Sequence, residues 1–193
     1  MKNRHWSLVL MFALIFVSCK QTATEKTTET EDITVVAEKP DYDLFEQKAN
    51  IVRAFIQAHC DENLEVQNNM LSDTLKWNPP MYTGDQWLGK SDLLPILASY
   101  HNDYENIQFK EGIGLPNGET EGGIWSGSVF PEDKANSNPG ALRVYGTWTA
   151  KHTESGKDIG VKWFGLYWVS DDGIITQTTE YFDVHGLAAQ IAD

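Results

Sequence analysis

Cysteine is scarce: Cys19 and Cys60 are the two in 193 residues, and Cys19 borders an N-terminal segment unlike the rest of the chain. The fold is therefore expected to stand without an intramolecular disulfide, and Cys60 reads as a small buried apolar residue rather than a nucleophile. Positive charge is also in short supply. Fifteen Lys and Arg face 28 Asp and Glu, a formal charge of −13, which repels phosphate backbones and argues against a nucleic-acid partner. The longest apolar run, Trp6 to Val17 apart from Ser7, has twelve residues, short of the roughly 20 that a spanning helix needs. Motifs that hold metals or nucleotides are missing too. His101, His152 and His185 are scattered outside any HExxH or Cys/His cluster, and Gly112, Gly114 and Gly118 miss the dinucleotide spacing. Gly123 to Gly127 carries its serine in the wrong place for a nucleophile elbow. No cofactor and no metal are expected.

What is present begins with a targeting signature. Lys2 and Arg4 precede the apolar run and Phe16-Val17-Ser18-Cys19 closes it. Those four residues resemble the lipobox of bacterial lipoproteins, where the leader is cut before a cysteine that becomes diacylated, although Phe16 replaces the usual leucine. The resemblance implies a signal peptide over residues 1–18, lipidation at Cys19 and attachment to a membrane through that lipid. Lys20 follows, rather than the aspartate of inner-membrane retention, so the outer membrane of the bacterial cell envelope is implied. Loss of Lys2 and Arg4 takes the formal charge from −13 to −15. Residues 19–40 are rich in Thr, Glu and Lys and hold almost nothing apolar before Ile33. They read as a flexible tether, because so little burial does not offset the entropy of ordering. Residues 41–193 suffice for one domain with a sizeable core.

Within that domain the apolar period changes once. From Asp43 to Cys60, Leu44, Ile51, Val52, Phe55 and Ile56 recur at helical spacing, with His59 on the same side. Asp61 to Met70 reads as a short helix or turn, and Leu71 to Trp77 as a short strand stopped by Asn78-Pro79-Pro80. Ser91 is placed to cap a third helix that buries Leu93, Leu94, Ile96, Leu97 and Tyr100, with Pro95 in its first turn. After Asn102 five strand candidates follow: Ile107–Ile113, Gly123–Phe130, Leu142–Lys151, Val161–Ser170 and Ile174–Phe182. The spacer from Pro131 to Gly140 reads as an exposed hairpin loop. Helices followed by antiparallel strands predict an α+β fold with the helices packed on one face of a curved sheet. Along Val161 to Val169 both faces are apolar, so the second face is expected to meet a partner subunit, and a homodimer is expected.

The last strand carries the candidate chemistry. Strict alternation puts Ile175, Gln177, Thr179, Tyr181 and Asp183 on one face, a phenol beside a carboxylate. Asp183 also stands just before Val184, Leu187 and Ile191, where a helix N-cap belongs. Two roles therefore compete for it: general base in a hollow, or cap.

The order of these elements resembles the NTF2-like superfamily, in particular its SnoaL-like (polyketide cyclase-like) branch. Asn50-Ile51-Val52-Arg53-Ala54-Phe55, Pro79-Pro80, Gly89-Lys90, Asp172-Gly173-Ile174, Tyr181-Phe182-Asp183, Gly186-Leu187 and Gln190 carry the likeness. It implies a cone: a strongly curved antiparallel sheet wrapped around about three N-terminal helices, a short C-terminal helix and a pocket at the open end. Catalytic members of this kind move protons beside a carbonyl with Asp, His and Tyr, and their closing Asp maps onto Asp183. The expected catalytic set is thus Asp183 with Tyr181 and His59. Trp77, Tyr82, Trp87, Trp125, Trp148 and Trp163 are expected to line a site for a small hydrophobic molecule. Three functions fit: a ligand-binding lipoprotein, a cofactor-free isomerase, cyclase or dehydratase, and a non-catalytic protein-interaction module.

Overall fold

The computed structural model describes residues 42–126 and 138–192. The expected signal peptide, Cys19, the tether and most of the 131–140 loop lie outside them. The first helix, α1 (Tyr42–Cys60), buries Ala49, Val52, Phe55, Ile56 and Ala58 at the three- and four-residue spacing its sequence carries. It stops in a left-handed turn. Glu62 has φ +54°, its N–H returns to the His59 carbonyl at 3.1 Å, and the Asn63 N–H returns to the Ala58 carbonyl at 2.8 Å. Asn63 then caps α2 (Leu64–Met70), its Oδ1 accepting the Val66 N–H at 3.1 Å. That short link holds His59, in the last turn of α1, beside the buried Gln67 of α2.

A first strand, β1 (Leu71–Asn78), leads to a loop and then to α3 (Lys90–Asp103). The helix starts two residues earlier than a Ser91 cap implies. Gly89 is the cap, and its N–H donates to Asp92 at 2.8 Å. Pro95 accordingly falls in the second turn, where its missing N–H costs a helical bond to Ser91, whose surroundings are solvent. Leu93 is buried, Leu94, Leu97 and Tyr100 are half-buried, and Ile96 faces outward.

The strands that follow are β2 (Tyr104–Glu111), the small hairpin β3 (Ile113–Gly114) and β4 (Thr120–Glu121), β5 (Ile124–Ser126), β6 (Ala141–His152), β7 (Asp158–Val169) and β8 (Ile175–Phe182). The main sheet runs β1-β8-β7-β6-β2, and β5 continues the β2 edge along β6. Its neighbours are antiparallel except one. Strand β1 lies parallel to β8, so the sheet is mixed rather than antiparallel throughout. A last helix, α4 (Val184–Ile191), folds back onto β7, where the Gln190 amide exchanges two hydrogen bonds with the Gly160 backbone at 2.9 and 3.0 Å.

The register slips in three strand pairs: between Leu71 and Lys76 where β1 meets β8, and at bulges in two antiparallel pairs. In β2, Glu105 pairs with Lys151 and Gln108 with Thr149, so three steps on one strand meet two on the other, and Asn106 takes up the excess at φ +55°. In β8, Ile175 pairs with Val169 and Gln177 with Trp168, leaving Thr176 as the extra residue. Thr176 donates its hydroxyl to the Trp168 carbonyl at 3.2 Å. After each bulge the alternation changes phase. Tyr104 and Ile107 both turn inward from β2, and Ile175, Thr178, Glu180 and Phe182 turn inward from β8.

Glycine sets the inner contour of the cone. Gly165 sits opposite Glu180, and the Trp163 ring lies over it so closely that a Cβ there would stand 2.2 Å from the indole. Gly146 similarly lies under the Phe109 ring, at 2.1 Å. Gly165→Ala is expected to destabilise the domain by about 1–3 kcal/mol through overpacking, read as a lower urea midpoint; an unchanged midpoint would show that the ring moves aside freely.

Candidate functional site

Between sheet and helices lies a cavity of about 100 Å³ whose lining area is mostly apolar. Phe55, Ile56, Leu93 and Leu97 line it from α1 and α3; Trp148, Ile159, Val161 and Trp163 from the sheet; Leu187 from α4. The polar groups in that wall are few: His59, Gln67, Tyr100, Tyr104, Thr149, Tyr167, Thr178 and Glu180. Among the described residues Glu180 is the single carboxylate in the wall, and neither lysine nor arginine lines it.

Glu180 is fixed from both flanking strands. The Trp77 indole, from β1, donates to Oε1 at 2.9 Å, and the Trp163 indole, from β7, donates to Oε2 at 3.3 Å. Trp163 reaches across because Gly165 leaves its path clear. Burial raises the Glu180 pKa above the usual carboxylate range, while the two indole donors pull it down. Desolvation is the larger effect. Its charge is felt by two phenols that burial already holds neutral: Tyr167, well above its usual value, and Tyr100, pushed up to about 12.

The helical side of the cavity carries a histidine pair. His59 Nδ1 and His101 Nε2 are 2.8 Å apart, one donating and the other accepting. Desolvation, and then the neighbouring His101, pull His59 down to about 4. Burial also lowers His101. His59 is further boxed by Trp148, whose ring stands edge-on at 5.2 Å, and by Tyr100 at 6.2 Å. It is therefore a neutral imidazole at pH 7.

Of the residues singled out from the sequence, His59, Trp148 and Trp163 line this cavity, and Trp77 stands behind it as a donor to Glu180. Asp183 and Tyr181 do not reach it. Asp183 caps α4, its Oδ1 accepting the Gly186 N–H at 2.7 Å, with Gly186 giving the carboxylate room. Tyr181 is 59% exposed and lies against Phe164 on the outer face. The phase shift at Thr176 is the physical reason: it turns Thr178, Glu180 and Phe182 inward and their neighbours out. Trp125 also sits outside, stacked on Tyr145 at 4.8 Å, which continues to Phe164 at 4.4 Å. Tyr82 and Trp87 project from the loop before α3, 88% and 47% exposed. Glu180, Tyr100, Tyr167, Gln67 and Thr178 were missed by sequence reasoning. Alternation counted from Ile175 sends Glu180 to the wrong face, and a bulge leaves no mark in a hydrophobic pattern.

No protein-family model and no curated protein matches the sequence. Solved structures match the fold. A candidate polyketide cyclase of Xanthomonas campestris pv. campestris superposes with a TM-score of 0.56 at 13% identity, over 77% of this chain and 99% of its own. A candidate isomerase of Bacillus subtilis gives 0.55 at 11%, over 76% and 94%, and an NTF2-like protein of Burkholderia thailandensis gives 0.52 at 11%, over 76% and 98%. The fold is the NTF2-like α+β cone.

The buried histidine makes stability depend on pH with a defined sign. The unfolded chain binds the His59 proton near pH 6.5 and the folded chain only near 4, so the full stabilisation is present above 6.5 and is lost as pH falls through about 4. The loss amounts to about 3 kcal/mol. His59→Gln is expected to flatten that part of the profile when urea midpoints are compared at pH 7 and pH 4.5; a variant that keeps the wild-type slope would assign the slope to other groups.

Proposed function

We propose that the domain takes up a small, uncharged, mostly apolar carbonyl compound and shifts a proton on it, with Glu180 as the acid–base group. The single observation that carries this reading is Glu180 itself, a carboxylate set alone in an apolar cavity, with its pKa raised toward the working range of a general base. In the proposed step the carboxylate takes a proton from the carbon beside the carbonyl, and the electron pair moves onto the carbonyl oxygen. The protonated Glu180 then returns the proton to the same or a neighbouring carbon. Tyr100 and neutral His59 line the same cavity and keep a proton to donate to the developing oxyanion. The fold's solved neighbours include a candidate cyclase and a candidate isomerase, which supports this class of chemistry without naming a substrate.

A binding-only reading is favoured by one observation: both carboxylate oxygens already accept indole N–H groups, the arrangement a purely structural acid would adopt. Deuterium exchange separates the two. With cyclopentanone in D₂O, the wild-type chain is expected to accelerate α-hydrogen exchange followed by NMR, and Glu180→Gln to lose about 10²–10⁴-fold of that acceleration. Equal rates for the two proteins would leave only binding.

We further propose that the domain is held at the bacterial outer membrane by lipid on Cys19, a reading supported by the leader and the Phe16-Val17-Ser18-Cys19 sequence. Cys19→Ser is expected to move the protein from the membrane to the soluble fraction and to abolish incorporation of labelled palmitate; unchanged fractionation and labelling would sink the anchor.

A further inference from the structure

Two polar side chains in the cavity wall are buried without a hydrogen-bond partner among the described residues. Gln67 is fully buried, and neither its Oε1 nor its Nε2 makes a hydrogen bond among the described residues. Thr178 is 2% exposed, and its hydroxyl is likewise without a hydrogen-bond partner. They stand on opposite walls, Gln67 on α2 with His59 as its polar neighbour and Thr178 on β8 with Tyr167; each makes a polar contact close enough to shift that neighbour's pKa, but neither contact meets the distance and angle of a formed hydrogen bond. Buried polar atoms are almost always paired, because leaving one unpaired forfeits its hydration. An apolar core residue at either position would avoid that cost, so their presence calls for a partner that the described residues do not supply.

Building on the reading of the cavity as a small-molecule site, we propose that Gln67 and Thr178 are the recognition residues for an oxygen-bearing ligand. The ligand's carbonyl or hydroxyl oxygen pairs with the Gln67 amide, the Thr178 hydroxyl, or both. Gln67 offers two N–H donors and one acceptor and Thr178 one of each kind, so they suit a neutral carbonyl or alcohol. An anion is disfavoured by the nearby Glu180 carboxylate, with no lysine or arginine in the wall to offset it. The apolar remainder fits Phe55, Leu93 and Ile159. Selectivity then arises as it does wherever a site is built to hydrogen-bond its ligand: an analogue lacking the oxygen leaves the buried groups unpaired and is rejected.

The test uses the full chain and three probes, benzene, phenol and cyclopentanone, with affinities from NMR titration. Wild type is expected to prefer phenol and cyclopentanone over benzene by tenfold or more. Gln67→Leu and Thr178→Val, close in volume to the residues they replace, are expected to keep benzene binding and to lose most of that preference, at one position or both. Their melting temperatures are expected to be equal to or above wild type, since each removes an unpaired buried group. Gln67→Met replaces Gln67→Leu if the branched side chain prevents folding. If benzene binds as well as the oxygenated probes, or if both variants retain the full preference, the two residues serve the fold or an enclosed water and the recognition role is overturned. If none of the three probes binds wild type, the small-molecule reading of the cavity fails instead.

Discussion

The arrangement of this domain turns on one buried carboxylate and the two indoles that hold it. Glu180 sits between Trp77 and Trp163, which come from the strands on either side of its own. An ionised carboxylate removed from water is costly unless it is paired or hydrogen-bonded. Among the described residues no lysine or arginine stands in the cavity wall, so the two neutral N–H donors are what offsets the loss of hydration. They offset it incompletely, and the pKa stays raised. That residual imbalance makes the group chemically interesting, because a carboxylate satisfied by an arginine would be a weak base.

Reaching that arrangement makes demands on the backbone. Strand β1 must run parallel to β8 for Trp77 to approach Glu180 from one side, and β7 must carry a glycine opposite Glu180 for Trp163 to cross from the other. The bulges in β2 and β8 set the rest. Asn106 brings Tyr104 and Ile107 to the same wall, and Thr176 brings Ile175 to the core while still aiming Thr178, Glu180 and Phe182 into the cavity. Without an extra residue in β8, burying Ile175 would turn Glu180 out to solvent. The bulge therefore decides which of two neighbouring acidic residues, Glu180 or Asp183, faces the hollow.

That same bulge separates what was legible in the sequence from what was not. Helix α1 was readable because its apolar stripe repeats over five turns, and β7 because Trp163, Tyr167 and Val169 alternate with Phe164, Leu166 and Trp168 without interruption. The end of the chain offered two true signals, an N-cap at Asp183 and a strand before it, and both elements formed there. Residue-by-residue alternation does not survive a one-residue insertion, so it places Tyr181 and Asp183 on the inner face that Glu180 holds. The parallel pairing of β1 was also invisible, since pairing direction depends on contacts about a hundred residues apart. His59 was recoverable because it shares a helical face with Phe55, whereas its partner His101 comes from another helix, brought near only by packing.

Volume narrows the chemistry further than the lining residues do. A closed cavity near 150 Å³ holds benzene, and pockets for larger ligands run from about 300 Å³ upward; this one offers about 100 Å³ and is partly open, so it suits a single small ring that reaches into its mouth. A fused polycyclic molecule exceeds that space between Phe55, Trp148 and Trp163. Those walls are rigid for identifiable reasons: Trp163 is held by Glu180 and wedged over Gly165, and Trp148 packs against Phe109 at 4.5 Å and His59 at 5.2 Å. Enlarging the space means breaking the hydrogen bond that positions the carboxylate. Ligand size and Glu180 geometry are thus coupled through one indole, and a molecule too large for the cavity would disable the group meant to act on it.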